Sequence, residues 1–181
     1  GEHEMPLLPY AAMLMENAGI MGNPALEGKD FDQQIAQLGA AVSYGCNDSY
    51  FYISISGEDE NMNKIMNLVN RQLLMPYLEQ KQLDALKGNE FFSRYSRQKR
   101  TAVQKSALMQ YALYGKKSAY LDEVKFIDIW NMDGVQVQRL IASARTYALD
   151  VFYCGTLPED KLVPELPLTD VIDKSIQYWR Q

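Results

Sequence analysis

Residues 40–57 contain two runs of alternating apolar and polar side chains, separated by a turn-forming segment that includes Gly45, Asn47 and Asp48. A period of two places one face of a strand against a core and leaves the other face more polar. The turn residues predict that the two runs pair as an antiparallel hairpin. The two faces of the second run are Phe51, Ile53 and Ile55, and Tyr50, Tyr52, Ser54 and Ser56.

The segments before and after this hairpin have apolar residues at helical spacing. The spacing predicts helices over residues 6–18, 31–38, 59–75, 80–97, 103–114 and 133–144, and a last strand, apolar enough to be central, over 148–154. Strands grouped apart from helices indicate an α+β fold, with a mostly antiparallel sheet and helices packed on one face. Three strands make a small sheet, so we expect the fold to lack its first strands or to borrow strands from a partner.

The chain has 181 residues, the size of one domain. We predict a single domain over 1–181, with a core at about 6–155 and a tail at 156–181 to which no single element is assigned. Gly1 in place of an initiator methionine suggests a fragment of a larger multidomain parent. The net charge of −5 argues against a general nucleic-acid or anionic-membrane binder. No run approaches the ~18 apolar residues that a membrane span needs.

Histidine content restricts the chemistry further. His3 is the only histidine, so a zinc motif with two histidine ligands cannot form within this chain. Catalysis by a Ser–His or Cys–His pair would have to use His3, close to the N-terminus. Cys46 and Cys154 both lie at predicted strand ends, where we expect small buried apolar groups. Sequence leaves open whether they form a disulfide.

Residues 31–92 carry an ordered set of features that resembles a known family. In order, they are a helix end (Leu38-Gly39-Ala40), the hairpin, a helix start (Asp59-Glu60-Asn61), a helix end (Leu74-Met75-Pro76) and a helix that carries Lys87. The later segment DVFYCGTLPEDKL adds a strand, a glycine and acidic residues. Over roughly residues 10–165 the chain resembles the insulinase/pitrilysin-type zinc metallopeptidases, including the mitochondrial processing peptidases. The resemblance implies a processing-peptidase-like (LuxS-type) metallopeptidase domain.

The same resemblance places the family's inverted zinc motif, H-x-x-E-H, on the segment Met13-Leu14-Met15-Glu16-Asn17. Glu16 matches the catalytic glutamate, whereas Met13 and Asn17 replace both histidines. Thioether and amide groups bind zinc poorly. The resemblance therefore implies a domain with no catalytic residue, no metal and no cofactor of its own. Zinc would belong to the catalytic domain of the parent, a zinc metallopeptidase.

The function that the resemblance implies is that of a non-catalytic domain of an insulinase-like zinc metalloendopeptidase. The domain would pair with the catalytic domain of the same parent, or with a homologous subunit, and would enclose an unfolded peptide. Peptides in this family add as a strand to a sheet edge. Tyr50, Tyr52 and Ser54 are the candidate peptide-facing residues, since they share the more polar face of the hairpin. The compartment, periplasmic or cytoplasmic, is left open.

Two other functions stay open at this stage. One is a stand-alone protein-interaction or assembly module that has the same fold and no peptidase activity. The other is nucleic-acid binding through the basic region 94–117, which lies in a segment, 91–121, with seven basic and no acidic residues. The acidity of the whole chain favours a solvated helical face there, or a docking surface for an acidic partner domain, and we expect no nucleic-acid partner.

Overall fold

The computed structural model describes residues 5–47, 49–118, 120–121, 123–158 and 174–179, the last of these by their backbone. Contacts divide the chain into two compact units. The first comprises Gly1–Glu79 and Gly134–Gln181, and the second is Gln80–Asp133. The sequence pattern alone does not separate residues 80–133 from the rest of the chain. Whether the whole chain behaves as one domain stays a prediction, and most of the tail at 156–181 lies outside the described residues.

The described residues of the first unit form four α-helices and include all of the described strands. The helices are α1 (Leu8–Met15), α2 (Gly28–Gln37), α3 (Met62–Leu74) and α7 (Gly134–Ala144). The strands are β1 (Gly19–Ile20), β2 (Ala41–Cys46), β3 (Phe51–Ser56), β4 (Pro76–Tyr77), β5 (Leu149–Cys154) and β6 (Lys174–Trp179). Short 3₁₀ turns, Met5–Leu7 and Asp59–Asn61, lead into α1 and α3. The second unit contains α4 (Gln80–Gln98), α5 (Thr101–Tyr114), a 3₁₀ turn (Gly115–Lys117) and α6 (Phe126–Trp130).

The described strands form three two-stranded sheets. β1 pairs with β4 and β2 pairs with β3, both antiparallel, whereas β5 and β6 are parallel. The chain thus has the predicted α+β fold with small, mostly antiparallel sheets. The hairpin over 40–57 is confirmed as β2 and β3, with Tyr44 opposite Ile53 and Gly45 opposite Tyr52.

The core of the first unit forms where α7 packs against both α1 and α3. Met15, Ile65 and Ile141 are fully buried there. The predicted apolar stripe of α3 is confirmed, because each of its members is buried: Met62, Ile65, Met66, Val69 and Leu73. Burying each such side chain contributes about 1.5–3 kcal/mol relative to leaving it in water.

Three details of the prediction are corrected. The first helix ends at Met15 and not at residue 18, because the amides of Asn17 and Ala18 bond the carbonyls of Leu14 and Met15 in a tightened last turn. The last strand is not central among the described strands. β5 pairs there with β6 alone, and Phe152 is 70% exposed. Finally, α6 and β6 were not predicted, because α6 is short and has no clear apolar periodicity, and because residues 175–178 of β6 alternate over only four positions.

One carboxylate ties the loop after β5 to the start of α3. Asp59 accepts hydrogen bonds at 2.8 Å from the Tyr153 hydroxyl and at 2.8 Å from the Thr156 amide. The Thr156 hydroxyl donates a further hydrogen bond to the same carboxylate. These hydrogen bonds hold the pKa of Asp59 below its ordinary value. The largest effect comes from the hydroxyl of Thr156, followed by the amide of Thr156 and the hydroxyl of Tyr153, and burial opposes them more weakly.

We expect Asp59→Asn to lower the Tm at neutral pH by at least about 2 °C, because the neutral amide has one acceptor oxygen in place of two and loses the charge that strengthens these bonds. A carboxyl group whose pKa is lower in the folded state stabilises the fold at pH values above its unfolded-state pKa. This stabilisation is lost as the pH falls through the folded-state pKa. The difference between the two proteins should therefore shrink as the pH falls below 3.8. Thermal unfolding followed by circular dichroism checks this. Glu60→Gln, in the same turn, is the matched control and should change the Tm little; an equal loss in both variants would contradict the assignment.

Candidate functional site

The segment that resembles a zinc motif lies at the end of α1. Met13 is exposed on the last turn, and Glu16 and Asn17 follow the helix with exposed side chains. The Glu16 carboxylate accepts a hydrogen bond from the backbone amide of Tyr44, with 2.6 Å between the two atoms. The glutamate at the catalytic position is therefore bound to a strand of this same chain.

This bond occupies the outer edge of β2. In an antiparallel pair, opposed residues alternate between hydrogen-bonded and non-hydrogen-bonded pairs. The hairpin closes with the Asn47 amide bonded to the Tyr50 carbonyl at 2.9 Å, which makes Tyr44 and Ile53 a non-hydrogen-bonded pair. The Tyr44 amide thus points away from β3, toward Glu16. The carboxylate caps the middle of a strand edge that would otherwise offer this donor to another chain.

The side chain of Tyr44 continues the network into the core. Its hydroxyl donates to the Gln72 side-chain oxygen, and the Gln72 amide nitrogen donates to the Ala18 carbonyl at 2.6 Å. Gln72 is fully buried, so each of these bonds satisfies a group that has lost contact with water. The network joins the end of α1, β2 and α3. We call these four residues, Glu16, Ala18, Tyr44 and Gln72, the α1–β2–α3 network.

Burial and negative charge fix the protonation state of the network. Burial raises the pKa of Tyr44 well above its ordinary range, and the charges of Glu16 and Asp32 raise it further. Burial also raises the pKa of Asp32, and the charge of Glu16 adds to this effect. Tyr44 therefore remains a neutral donor at physiological pH. The network can hold elements together, but it contains no nucleophile paired with a base.

The residues at the motif positions do not suit a zinc ion. Met13 offers an exposed thioether, Asn17 offers an amide, and the Glu16 carboxylate is already bonded to the Tyr44 amide. Such donors are not the imidazole, thiolate and carboxylate set that zinc prefers. Within residues 5–47, 49–118, 120–121 and 123–158, no group of three or more His, Cys, Asp or Glu could hold a metal ion.

The hairpin presents a second, solvent-facing surface. Register places small residues of β2 opposite the polar face of β3, and we call this face the hairpin shelf: Ala41, Ser43 and Gly45 with Tyr52, Ser54 and Ser56. Tyr52 is 51% exposed, and Tyr50, just before the strand, is 63% exposed. The Tyr52 ring covers Gly45, since a Cβ atom at that glycine would lie 2.3 Å from the ring. The shelf therefore combines hydroxyl groups with one aromatic ring.

Other predicted positions lie apart from this site. Cys46 and Cys154 are not joined by a disulfide. Cys154 is exposed, so the expectation of a buried apolar group is wrong there, because it lies on the outward side of β5. Met62 and Met66 are buried core residues, whereas Met13 is exposed.

Two polar features of the first unit were not predicted from the sequence. Gln72 could have been found, because a polar side chain follows Ile65 and Val69 at helical spacing on the buried side of α3. The other feature is a groove of about 570 Å³ between α2 and α3, and no spacing of residues in the sequence indicates it. It is lined mostly by amides: Gln34, Gln37, Leu38, Asn63, Lys64, Asn67 and Leu68. The lining includes neither the motif positions nor the shelf.

Comparisons with known proteins give a likeness of fold. No protein-family model matches the chain, and no curated protein matches it. One solved structure that does match is a crystal structure of a mutant ferredoxin protease FusC in complex with Arabidopsis ferredoxin. The TM-score is 0.63 at 9% sequence identity, over 78% of this chain and 15% of that chain. The chain therefore shares an α+β fold with a small part of that protease. In the part of the chain that the structure describes, no helix is long and apolar enough to cross a membrane.

We expect Tyr44→Phe to lower the free energy of unfolding by about 1–3 kcal/mol, because the buried Gln72 oxygen loses its donor. Urea unfolding at neutral pH measures the change. Tyr50→Phe removes the same hydroxyl from an exposed ring and should stay within about 0.5 kcal/mol of the unmodified protein. A loss for Tyr44→Phe no larger than that of this control would contradict the buried bond.

Proposed function

We propose that this chain is a non-catalytic domain of an insulinase-like zinc metallopeptidase, which helps to enclose and bind an unfolded peptide. The observation that carries the proposal is the fold shared with FusC, a protease of the insulinase-like type, together with a motif segment whose donors do not suit zinc. Neither half would be sufficient alone. Folds host many functions, and a segment without ligands could occur in any protein.

The hydrogen bond of the Glu16 carboxylate supports a role other than hydrolysis. A general base must reach the water that it activates. Here the carboxylate is bonded at 2.6 Å to the Tyr44 amide of its own domain. In this proposal the zinc ion and the general base come from a catalytic domain, in the same parent or in a homologous subunit, and this chain contributes to the surface around the substrate.

The hairpin shelf supports a role in peptide binding. β3 pairs with β2 alone among the described strands, so its other edge offers backbone groups to an added strand. A strand added there would lie beside Tyr52 and Ser54, which point to the shelf side of the sheet. Main-chain hydrogen bonds would give affinity for many sequences, and apolar side chains of the peptide that reach across the shelf would pack on the ring of Tyr52, which lies over Gly45. The cap that Glu16 places on β2 leaves β3 as the better edge.

Two other functions keep a specific observation in their favour. A stand-alone interaction module of the same fold needs no metal, and the α1–β2–α3 network is a sufficient structural reason to retain Glu16. Nucleic-acid binding through residues 94–117 would rely on the seven basic residues of segment 91–121. Affinity for an oligonucleotide that falls steeply with salt would favour this function, and its absence would exclude it.

We expect the chain to bind a labelled, permanently unfolded polypeptide, carboxymethylated α-lactalbumin, and to leave it uncleaved in the presence of zinc. Tyr52→Ala with Ser54→Lys should weaken binding at least about fivefold, since it removes the ring and adds a long side chain to the shelf. Fluorescence anisotropy measures binding, and gel electrophoresis follows cleavage. Phe152→Ala, which removes another exposed ring of the first unit, is the control and should bind normally.

The outcomes separate the alternatives. Zinc-dependent cleavage that is lost in Glu16→Gln would show a catalytic domain and would contradict the proposal. No binding of the unfolded polypeptide would favour the stand-alone module. Binding that weakens equally in the shelf variant and in Phe152→Ala would place the peptide elsewhere on the chain.

A further inference from the structure

Helix α5 of the second unit is exposed to an unusual degree. None of its 14 residues is buried, although the helix is rich in apolar side chains. Leu108 is 70% exposed and Met109 is 67% exposed. Isolated helices of this length are marginal in water, and helical stability in proteins comes mostly from packing of an apolar face. A helix that is apolar on several sides is normally covered.

The exposure of α5 follows the period of the helix. Val103, Ala107 and Gln110 are half-buried and recur at intervals of four and three, so they mark the side on which α5 packs. The opposite side carries exposed residues at positions i, i+3, i+4 and i+7, which we call the α5 stripe: Lys105, Leu108, Met109 and Ala112. This spacing is the one by which a helix packs against a second helix.

The apolar surface extends beyond the stripe. Tyr111, Leu113 and Tyr114 on α5 are all exposed. On α4, Phe92 and Tyr95 are exposed as well. Single exposed apolar residues are ordinary, but this number of them on two helices that contact each other, α4 and α5, marks an interaction surface.

The charged residues of the segment that contains the stripe have one sign. Segment 91–121 contains no acidic residue. Arg94 and Arg97 form ion pairs with Glu90 and Glu123, which both lie outside that segment. Lys105, Lys116 and Lys117 are exposed, and no ion pair within the described residues involves them. The apolar residues of the stripe lie between uncompensated lysines along the chain, and this order fits a partner with carboxylates around an apolar ridge.

A second copy of this chain suits the stripe poorly. In a two-fold symmetric contact the same patch faces itself. The α5 of the copy would bring its own lysines and no carboxylate from segment 91–121, so like charges would oppose each other. An anionic membrane would satisfy the charge, but α5 does not segregate a polar face from an apolar one, as a helix that lies in a membrane interface does.

We propose that the α5 stripe is a docking surface for an acidic amphipathic helix of a partner protein. Leucine-like side chains of the partner would cover Leu108 and Met109, and its carboxylates would face Lys105, Lys116 and Lys117. The inference concerns the second unit alone and does not depend on the proposed peptide binding at the hairpin shelf. Its failure would leave that proposal unchanged.

The test uses a fluorescein-labelled synthetic helix with Leu at positions i, i+3, i+4 and i+7 and Glu beside them, titrated with the full chain. We expect binding that weakens at least about tenfold in Leu108→Ser with Met109→Ser, because two apolar contacts are lost. Lys105→Gln, Lys116→Gln and Lys117→Gln together should reduce the dependence of affinity on salt. Leu74→Ser with Met75→Ser is the matched control, since these residues are 58% and 54% exposed in the first unit.

Several results would overturn the proposal. These are no binding of the acidic helix, equal binding of a peptide with the same composition in scrambled order, or equal loss in the Leu74 and Met75 control. Sedimentation that shows a dimer lost in the Leu108 and Met109 variant would assign the stripe to a second copy. Tighter binding to phosphatidylserine vesicles, or to a single-stranded oligodeoxynucleotide, would replace the protein partner with that ligand. Unchanged circular dichroism of each variant establishes that its fold is intact.

Discussion

The bond between the Glu16 carboxylate and the Tyr44 amide is the interaction on which the first unit depends. It connects the end of α1 to β2, and through the Tyr44 hydroxyl and Gln72 it reaches α3. These three elements are far apart in sequence and share a core. Because the polar groups involved are mostly buried, losing one partner leaves another unsatisfied, and that penalty is larger than the net gain from forming a bond. The network therefore fixes one arrangement of the elements against near alternatives.

The same bond decides how the hairpin can be used. A two-stranded sheet has two edges, and each edge invites another strand. Glu16 occupies the centre of the β2 edge, whereas β3 has no second strand partner in the part of the chain that the structure describes. One interaction thus has two effects, because it stabilises the core and leaves β3 as the better edge for an added strand.

The alternation of apolar and polar residues within single segments predicted the elements whose faces it determines. The hairpin and its two faces follow from the period of two, and the buried stripe of α3 follows from the helical period. The pairing of β5 with β6 could not be predicted in this way, because it joins segments on either side of a stretch without clear periodicity. The bond from Glu16 to Tyr44 was also beyond local reasoning, since it spans 28 positions and uses a backbone donor that every residue type possesses. Position Glu16 itself was found only through the family resemblance.

Net charge predicted little about the surface of the second unit. The whole chain carries −5, yet segment 91–121 has seven basic residues and no acid. Charges in water are screened over about 8–10 Å, so a partner at one face responds to that face and not to the sum. The negative net charge argues against a chain that binds polyanions over its whole surface. It does not argue against a single basic face. What separates a phosphate-binding face from a protein-binding one is the apolar content between the cations. On α5 that content is Leu108 and Met109 on the exposed side, with Ala112 one turn further along the helix.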